Sequence, residues 1–220
     1  GSKRIPKKNI KLFHGKPLIA YSIEVAIKSK LFDKVIVSTD DEEIAKIARS
    51  YGADVPFLRP KELSDDFTGT GAVVNHAIEF LKAQGEKIDF VCTIYATAPF
   101  LQEKYLIKAY EKLKNSNARN AFSCTSMPFP IQRTFKITKD ERCEMFWPEN
   151  FSKRSQDLEE AYQDAGQFYW TNLNVKSDDI IFGKDSIPII LPRYLVQDID
   201  THEDWTRAEF MYEAIQKELK

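Results

Sequence analysis

The 220-residue sequence has little of what marks several protein classes. Its three cysteines are odd in number and widely spaced, which fits neither a disulfide framework nor a CxxC metal site, and we therefore expect a reducing, cytoplasmic environment. Only 8 glycines and 10 prolines interrupt a chain that is 43% hydrophobic and 12% aromatic, so global disorder is excluded. The chain is long enough to bury one substantial core.

Long apolar runs and an excess of charge of one sign are also missing. No segment approaches the roughly 18 to 20 apolar residues that span a bilayer, and no apolar stretch follows the basic N-terminus as in a signal peptide. The 32 Lys and Arg residues nearly cancel the 33 Asp and Glu residues, which leaves a net charge of −1. We therefore expect neither a membrane nor a nucleic acid as partner, and any anion site must be local.

Apolar β-branched runs alternate with amphipathic helical patterns along most of the chain. This alternation is typical of an α/β fold with a Rossmann-like, doubly wound, mostly parallel sheet. Asp40 is the predicted N-cap of the second helix, and Thr201 with Asp204 has capping-box spacing at the last helix. The predicted strands are 34–39, 89–95, 121–126, 167–175 and 187–191, and the predicted helices are 18–27, 44–51, 73–81, 106–113 and 205–219.

The rhythm of strands and helices breaks in the middle of the chain. Between 127 and 163 the sequence turns to prolines, aromatics and short strand-like pieces. We interpret 127–163 as a lobe inserted into an α/β domain formed by 1–126 and 164–220. A doubly wound fold normally opens with a strand, yet Gly1 already lies in a loop-like segment. Either a first strand belongs before Gly1, or Gly1 and Ser2 are a cloning remnant and the fold starts with a helix.

The opening segment 1–9, GSKRIPKKN, places four cations and two small residues directly before a helix. Glycine lets the backbone approach a ligand, and Lys and Arg neutralise oxygens, so the segment is a candidate cradle for a polyphosphate. It is not a Walker loop, because Gly15-Lys16 is followed by Pro17. The alternative interpretation is a frayed basic terminus.

Asp198-Ile199-Asp200 is the second candidate. Side chains alternate along a strand, so both carboxylates share one face and Ile199 faces the other. Mg²⁺ is bound in proteins by one or two carboxylates together with water and nucleotide phosphates. The alternative is that Asp200 or Thr201 merely caps the last helix. The basic segment and this acidic pair predict a metal–nucleotide site only if they meet.

Motifs for other chemistries are weak or missing. Gly69-Thr70-Gly71 lacks the third glycine of a dinucleotide fingerprint and a preceding strand. The sequence contains no HExxH, CxxC or GxSxG, and Cys92 lies within an apolar strand, so neither a zinc site nor a covalent nucleophile is expected. Phosphoryl transfer achieved by positioning remains.

Four segments, in chain order, resemble motifs of the CMP-sugar acid synthetases, the cytidylyltransferases that activate nonulosonic acids. Segment 1–10 is similar to their N-terminal phosphate loop, and RPKEL at 59–63 is similar to their RPxEL segment. ATAPF at 96–100 resembles their PTSP turn, and DIDT at 198–201 resembles their metal-binding motif. The resemblance covers essentially the whole chain and implies an apolar strand before Gly1.

Two further segments resemble the pseudaminic acid branch of that family. These are DFTGT at 66–70 and DAGQFYW at 164–170, where sialic acid enzymes tend to have NGAIY. Tyr95 stands where sialic acid enzymes usually have a glutamine that contacts the sugar. The resemblance therefore favours pseudaminic acid as substrate. Legionaminic, N-acetylneuraminic or Kdo-type sugar acids remain alternatives, as does a nucleotide-binding module without catalysis.

The resemblance implies a magnesium-dependent nucleotidyltransferase. The anomeric hydroxyl of a nine-carbon 2-keto sugar acid would attack the α-phosphate of CTP in line and expel pyrophosphate, without a covalent enzyme intermediate. A homodimer formed through 127–163 is also implied, and that lobe would complete the neighbour's site.

The resemblance also implies roles for single residues. For the sugar carboxylate we nominate Arg154, because guanidinium is its usual bidentate partner. The implied catalytic residues are Lys3, Lys8, Asp198 and Asp200, of which both aspartates would bind Mg²⁺; the implied nucleotide-binding residues are Ser2, Lys3, Lys8, Asn9, Arg59, Thr70 and Thr97; and the implied sugar-binding residues are Tyr95, Arg154, Gln167 and Tyr169.

Overall fold

The computed structural model describes residues 4–65 and 67–218. Within these ranges the α-helices are α1 (Leu18–Ser29), α2 (Glu42–Ser50), α3 (Thr70–Ala83), α4 (Glu103–Lys114) and α5 (His202–Glu218). The strands are β1 (Leu12–Phe13), β2 (Lys16–Pro17), β3 (Phe90–Ile94), β4 (Asn120–Ser126), β5 (Phe135–Ile137), β6 (Cys143–Met145), β7 (Tyr162–Asn172) and β8 (Ser186–Ile190).

A four-stranded sheet in the order β3-β7-β4-β8 forms the centre of the molecule. Strands β4 and β8 pair in parallel, whereas β7 is antiparallel to both β3 and β4. Strands β3, β4 and β8 therefore point the same way and β7 alone is reversed. Helix α4 covers one face, where Leu106 and Leu113 pack in one buried cluster with Trp170 and Ile189. The predicted α/β fold is confirmed, with a mixed sheet.

The predicted strand at 34–39 is an extended segment and not a full strand. Its ladder is one parallel bridge between Ile36 and Asp54, in which the Val37 N–H donates to the Asp54 carbonyl (2.9 Å) and the Asp54 N–H donates to the Val35 carbonyl (2.8 Å). Within the described ranges this bridge is the only strand pairing of the segment, and one bridge supplies too few hydrogen bonds for a continuous ladder. The local apolar pattern was correct, but pairing is not local.

Two predicted boundaries are wrong by a few residues. Asp41, and not Asp40, is the N-cap of α2, because its carboxylate accepts hydrogen bonds from the N–H groups of Glu43 (2.7 Å) and Ile44 (3.2 Å). Strand β7 begins at Tyr162 and not at 167, since its first residues pair with the end of β4. The last residues of the predicted lobe 127–163 thus belong to the central sheet as well.

A second buried cluster joins the two ends of the described chain. It contains Ile5 from the basic segment, Phe13 from β1, Ile199 from the acidic pair and Trp205 from α5. The Phe13 ring makes edge-to-face contacts with five aromatic rings, including the imidazole of His14, at centroid distances of 4.9 to 6.5 Å. These contacts fix the acidic pair beside the opening segment.

Segment 127–163 carries most of its apolar side chains on the outside. Strands β5 and β6 form a two-stranded antiparallel sheet that is separate from the central one. Its exposed large side chains include Phe135, Ile137, Phe146, Trp147 and Phe151. An isolated two-stranded sheet cannot bury such a surface by itself. Within the described residues, no helix is long and apolar enough to cross a membrane.

We predict that Phe13→Ala lowers the free energy of unfolding by about 3 to 5 kcal/mol, because it empties the centre of the aromatic cluster. Urea denaturation followed by far-ultraviolet circular dichroism measures this loss. Phe210→Ala is the matched control, since Phe210 is 67% exposed on α5 and should change stability by about 0.5 kcal/mol or less. Equal losses in the two variants would contradict the structural role of Phe13.

Candidate nucleotide and metal site

The structure brings the basic opening segment onto the acidic pair. The Lys8 ammonium donates to the Ile199 carbonyl and to the Asp200 carboxylate (3.2 Å). The Arg4 guanidinium donates to the other carboxylate oxygen of Asp200 (2.6 Å). Lys8 is largely shielded, with 12% of its side chain exposed, whereas the side chain of Arg4 is 63% exposed. Arg4 and Lys8 thus lie next to the acidic pair, although they are 196 and 192 residues away from Asp200 in the chain.

Asp198 lies beside Asp200 in an environment that disfavours its charge. Burial raises the pKa of the Asp198 carboxyl, and the neighbouring negative charge of Asp200 raises it further, while Lys8 acts in the opposite direction. A carboxylate whose charge is disfavoured by burial and by a like neighbour is a donor that a divalent cation relieves. The residues present fit Mg²⁺, and Asp198 and Asp200 would be its protein ligands.

The helix cap next to the acidic pair is made by other residues. The Thr201 hydroxyl donates to the Asp204 carboxylate (2.8 Å), and the Asp204 N–H donates to the Thr201 hydroxyl (3.2 Å), which is a reciprocal capping box at the start of α5. Asp204 also accepts from the N–H groups of Asp200 and Thr201, and hydrogen bonding from Thr201 lowers the Asp204 pKa. Asp200 lends only its backbone to the cap, so its carboxylate is left to face the cations.

The rest of the opening segment is held by α2 and by the turn after β3. Lys7 has a left-handed backbone (φ 52°) and its ammonium pairs with Glu43 of α2. Asn9 lies in the 3-10 turn Lys8–Ile10, and Ile10 packs in the same apolar cluster as Ala96. The nucleotide candidates Ser2 and Lys3 lie outside the described residues.

Arg59 is fixed at the end of the extended segment 35–39. Its guanidinium donates to the hydroxyl of Ser64 (3.1 Å) and to the carboxylate of Asp40 (3.1 Å), and its backbone N–H donates to the Thr39 carbonyl (2.8 Å). Asp40 therefore orients an arginine instead of capping a helix. The guanidinium keeps one exposed edge, with 21% of the side chain accessible.

The other two nucleotide candidates stand at the ends of separate elements. Thr70 is the exposed first residue of α3, and Thr97 lies in the turn that follows β3. Within the described residues neither threonine forms a hydrogen bond with Lys8, so their roles stay predictions.

Three of the four sugar candidates lie together near the end of β3. The rings of Tyr95 and Tyr169 are 5.3 Å apart, and the Tyr95 N–H donates to the Gln167 carbonyl (2.9 Å). Gln167 is buried, and its carboxamide donates to the Leu195 carbonyl (2.5 Å), which ties this group to the loop before Asp198. The carboxamide oxygen of Gln167 has no partner among the described residues.

Arg154 is not joined to that group by the described contacts. It is exposed in the segment 127–163 and forms a two-point ion pair with Asp157 (2.7 and 3.1 Å). Its role in binding the sugar carboxylate therefore stays a prediction.

Sequence reasoning missed residues that act on the candidates. Arg4 was part of the basic segment but was not nominated, and Asp164 was part of the 164–170 motif without a role. Asp164 accepts a hydrogen bond from the Tyr169 hydroxyl (2.5 Å). The signal was Gly166, a glycine inside a strand pattern, which often marks a bulge. Its φ of +61° is the left-handed conformation that favours glycine.

Solved structures and known sequences resemble this arrangement. A structure of CMP:2-keto-3-deoxy-manno-octonic acid synthetase complexed with CTP superposes with a TM-score of 0.67 and covers 97% of this chain and 95% of its own, at 12% identity, which shows the shared fold. The pseudaminic acid cytidylyltransferase of Campylobacter jejuni subsp. jejuni serotype O:2 is 48% identical over 97% of this chain and 93% of its own length.

The CMP-N,N'-diacetyllegionaminic acid synthase of Legionella pneumophila subsp. pneumophila is 31% identical over 100% of this chain and 95% of its own. The family model that matches residues 1–180 is described as cytidylyltransferase. With the α/β sheet and the meeting of cations and carboxylates, these similarities show that the chain belongs to the cytidylyltransferase family and is an enzyme of that class.

Proposed function

We propose that this cytidylyltransferase transfers CMP from CTP to the anomeric hydroxyl of a nine-carbon 2-keto sugar acid, pseudaminic acid, with release of pyrophosphate. The observation that carries the proposal is the contact of Lys8 and Arg4 with Asp200 beside Asp198. This arrangement offers positive charge to phosphate oxygens and carboxylates to a metal ion in one place. Direct attack by the substrate hydroxyl needs only this positioning of charge and no covalent nucleophile from the protein.

Asp198 and Asp200 would hold Mg²⁺, which when bound neutralises charge on the triphosphate. The chain's own cations have a second task. Lys8 is largely shielded from water and anchored on the Ile199 carbonyl, so its charge is held at a fixed position. A fixed charge stabilises the negative charge of the transition state without reorganisation during the reaction. Arg4 is more exposed and can move from Asp200 to an incoming phosphate.

Substrate choice is supported by two observations. The chain is 48% identical to a pseudaminic acid enzyme and 31% identical to a legionaminic acid enzyme over similar coverage. Tyr95 and Tyr169 place two aromatic rings beside the end of β3, and Tyr95 occupies the position at which sialic acid enzymes usually have a glutamine. Tyrosine rings offer an apolar face together with a polar hydroxyl, which suits a sugar acid with methyl-bearing substituents.

A homodimer is the proposed state of the enzyme. Among the described residues, the segment 127–163 exposes several large aromatic side chains, including Phe135 of β5 and, outside β5, Phe146, Trp147 and Phe151. A second copy of the same surface would bury them. Arg154 lies in the same segment, and in a dimer it could reach the site of the neighbouring subunit.

We expect the purified enzyme to release pyrophosphate from CTP when pseudaminic acid and Mg²⁺ are present. A coupled pyrophosphate assay with each of four sugar acids, pseudaminic, legionaminic, N-acetylneuraminic and Kdo, measures the preference. We expect the highest kcat/KM with pseudaminic acid and loss of turnover when EDTA removes the metal. Turnover of N-acetylneuraminic acid without turnover of pseudaminic acid would contradict the substrate assignment, and no turnover with any acid would contradict the enzymatic role.

Asp200→Asn should lower kcat by about 100-fold or more, because it removes a charged metal ligand and the partner of Lys8. The thermal unfolding midpoint should stay close to that of the parent protein, since the carboxylate is not part of the apolar core. Asp33→Asn is the matched control, as Asp33 is exposed at the other end of the extended segment 35–39. Near-normal kcat of Asp200→Asn at limiting Mg²⁺ would overturn the metal role.

Phe135→Asp should convert the proposed dimer into a monomer, because a charge replaces an exposed aromatic on β5. Light scattering coupled to size-exclusion chromatography measures the mass directly. Phe210→Asp, an equal change on the exposed side of α5, should leave the dimer intact. A monomeric parent protein, or equal dissociation of both variants, would rule out this surface as the interface.

A further inference from the structure

Strand β7 contains a bulge at residues 165–168. The candidate sugar residue Gln167 lies within it, and Tyr169 follows it directly. Phe122 of β4 pairs with Tyr169 and Cys124 pairs with Asp164, so one residue of β4, Ser123, lies opposite the four residues 165–168 of β7. The Ser123 hydroxyl is buried and accepts hydrogen bonds from the N–H groups of Gln167 (3.3 Å) and Phe168 (3.2 Å). A side chain of β4 thus satisfies the backbone that the bulge takes out of the ladder.

Asp164 fastens the bulge from its other side. One carboxylate oxygen accepts from the Gly166 N–H (3.0 Å), and the other accepts from the Tyr169 hydroxyl (2.5 Å). Both oxygens are therefore committed within the same six residues of β7. Asp164, which precedes the bulge, thus holds both the backbone of Gly166 within the bulge and the phenol of Tyr169 after it.

This contact determines what the Tyr169 hydroxyl can offer to a substrate. A phenol has one proton to donate and lone pairs that accept. In Tyr169 the proton is directed at Asp164, so the hydroxyl can only accept further hydrogen bonds, from the neighbouring Tyr95 hydroxyl or from a ligand. Burial and the hydrogen bond to Asp164 both raise the Tyr169 pKa above its ordinary value, so the phenol keeps that proton at neutral pH.

The position of the pair agrees with contact to a substrate. Tyr169 pairs with Thr93 near the carboxyl end of β3, and its ring lies 5.3 Å from that of Tyr95, which follows β3 directly. Ligands of open α/β sheets bind outside this carboxyl edge. Asp164 also lies on the wall of a cavity of about 560 Å³ beside the same bulge, together with Phe122, Cys124 and Tyr162.

We infer that Asp164 is a specificity-determining residue that makes the Tyr169 hydroxyl a hydrogen-bond acceptor, so that the site selects sugar acids presenting an N–H or O–H donor to it. The amide N–H of an acylamino substituent is such a donor, and it cannot reverse its direction as a hydroxyl can. This inference rests on the proposed function, because it assigns a task within the same reaction. Asp164 acts through Tyr169 and is a positioning residue.

Asp164→Asn tests the inference, because it preserves shape and reverses one hydrogen bond. The asparagine oxygen can still accept from Gly166, whereas its amide group donates to Tyr169 and turns the phenol proton toward the substrate. We expect the KM for pseudaminic acid to rise roughly 3- to 10-fold, as when one neutral hydrogen bond is lost, with the KM for CTP unchanged. In a Tyr169→Phe background the same substitution should have no further effect.

The outcomes separate this inference from the proposed function. If the parent enzyme turns over no sugar acid, both fail. If the parent enzyme is active but Asp164→Asn leaves the KM for pseudaminic acid unchanged, or raises the KM for CTP equally, only the role of Asp164 fails. An undiminished effect in the Tyr169→Phe background would also overturn it. Asp178→Asn, an exposed change in the loop after β7, is the control and should alter neither KM.

Discussion

The site depends on the apolar cluster that joins Ile5 of the opening segment to Ile199 of the acidic pair. Both side chains are fully buried, and each lies directly beside the charges of the site. Exposed ion pairs such as Arg4 with Asp200 contribute little free energy, typically about 0 to 1 kcal/mol. Burial of an isoleucine contributes about 1.5 to 3 kcal/mol. The charges therefore meet because their apolar neighbours pack together, and not because they attract each other.

This division of tasks explains the electrostatics of the site. Packing places Asp198 beside Asp200 at a cost, because burial, and then the charge of Asp200, raise the pKa of Asp198. Lys8 and Arg4 offset that cost, yet Arg4 does so from an exposed position that it can leave. A triphosphate with its metal ion carries both kinds of charge and can compensate both sides at once. In the free protein the cations and the carboxylates thus neutralise each other. A bound triphosphate would replace the carboxylates as partners of the cations, and its metal ion would replace the cations as partners of the carboxylates.

The sequence was sufficient for the features that depend on local pattern. Helical spacing located α1 to α5 within a few residues. The buried Ile199 between two accessible aspartates agrees with the predicted alternation, but 198–200 is an irregular segment and not the predicted strand. The sequence was insufficient for the features that depend on which strands pair with each other. Nothing in β7 indicates that it runs antiparallel to its neighbours, and the apolar pattern of 34–39 does not reveal that its ladder is a single bridge. In the sequence Asp40 and Asp41 are equally good N-cap candidates for α2, and in the structure the contact of Arg59 with Asp40 distinguishes the two.

The reversal of β7 has a consequence for recognition. A parallel strand would bring its carboxyl end to the substrate edge, but β7 brings its first half there, including the bulge at Gly166. Tyr169 and Gln167 are therefore held by ladder and bulge hydrogen bonds and not by a loop. Groups on sheet backbone keep their direction, whereas loop residues can adapt to different ligands. Under the proposed function, nucleotide binding would fall to the segments around the sheet, and discrimination between sugar acids would fall to the sheet itself.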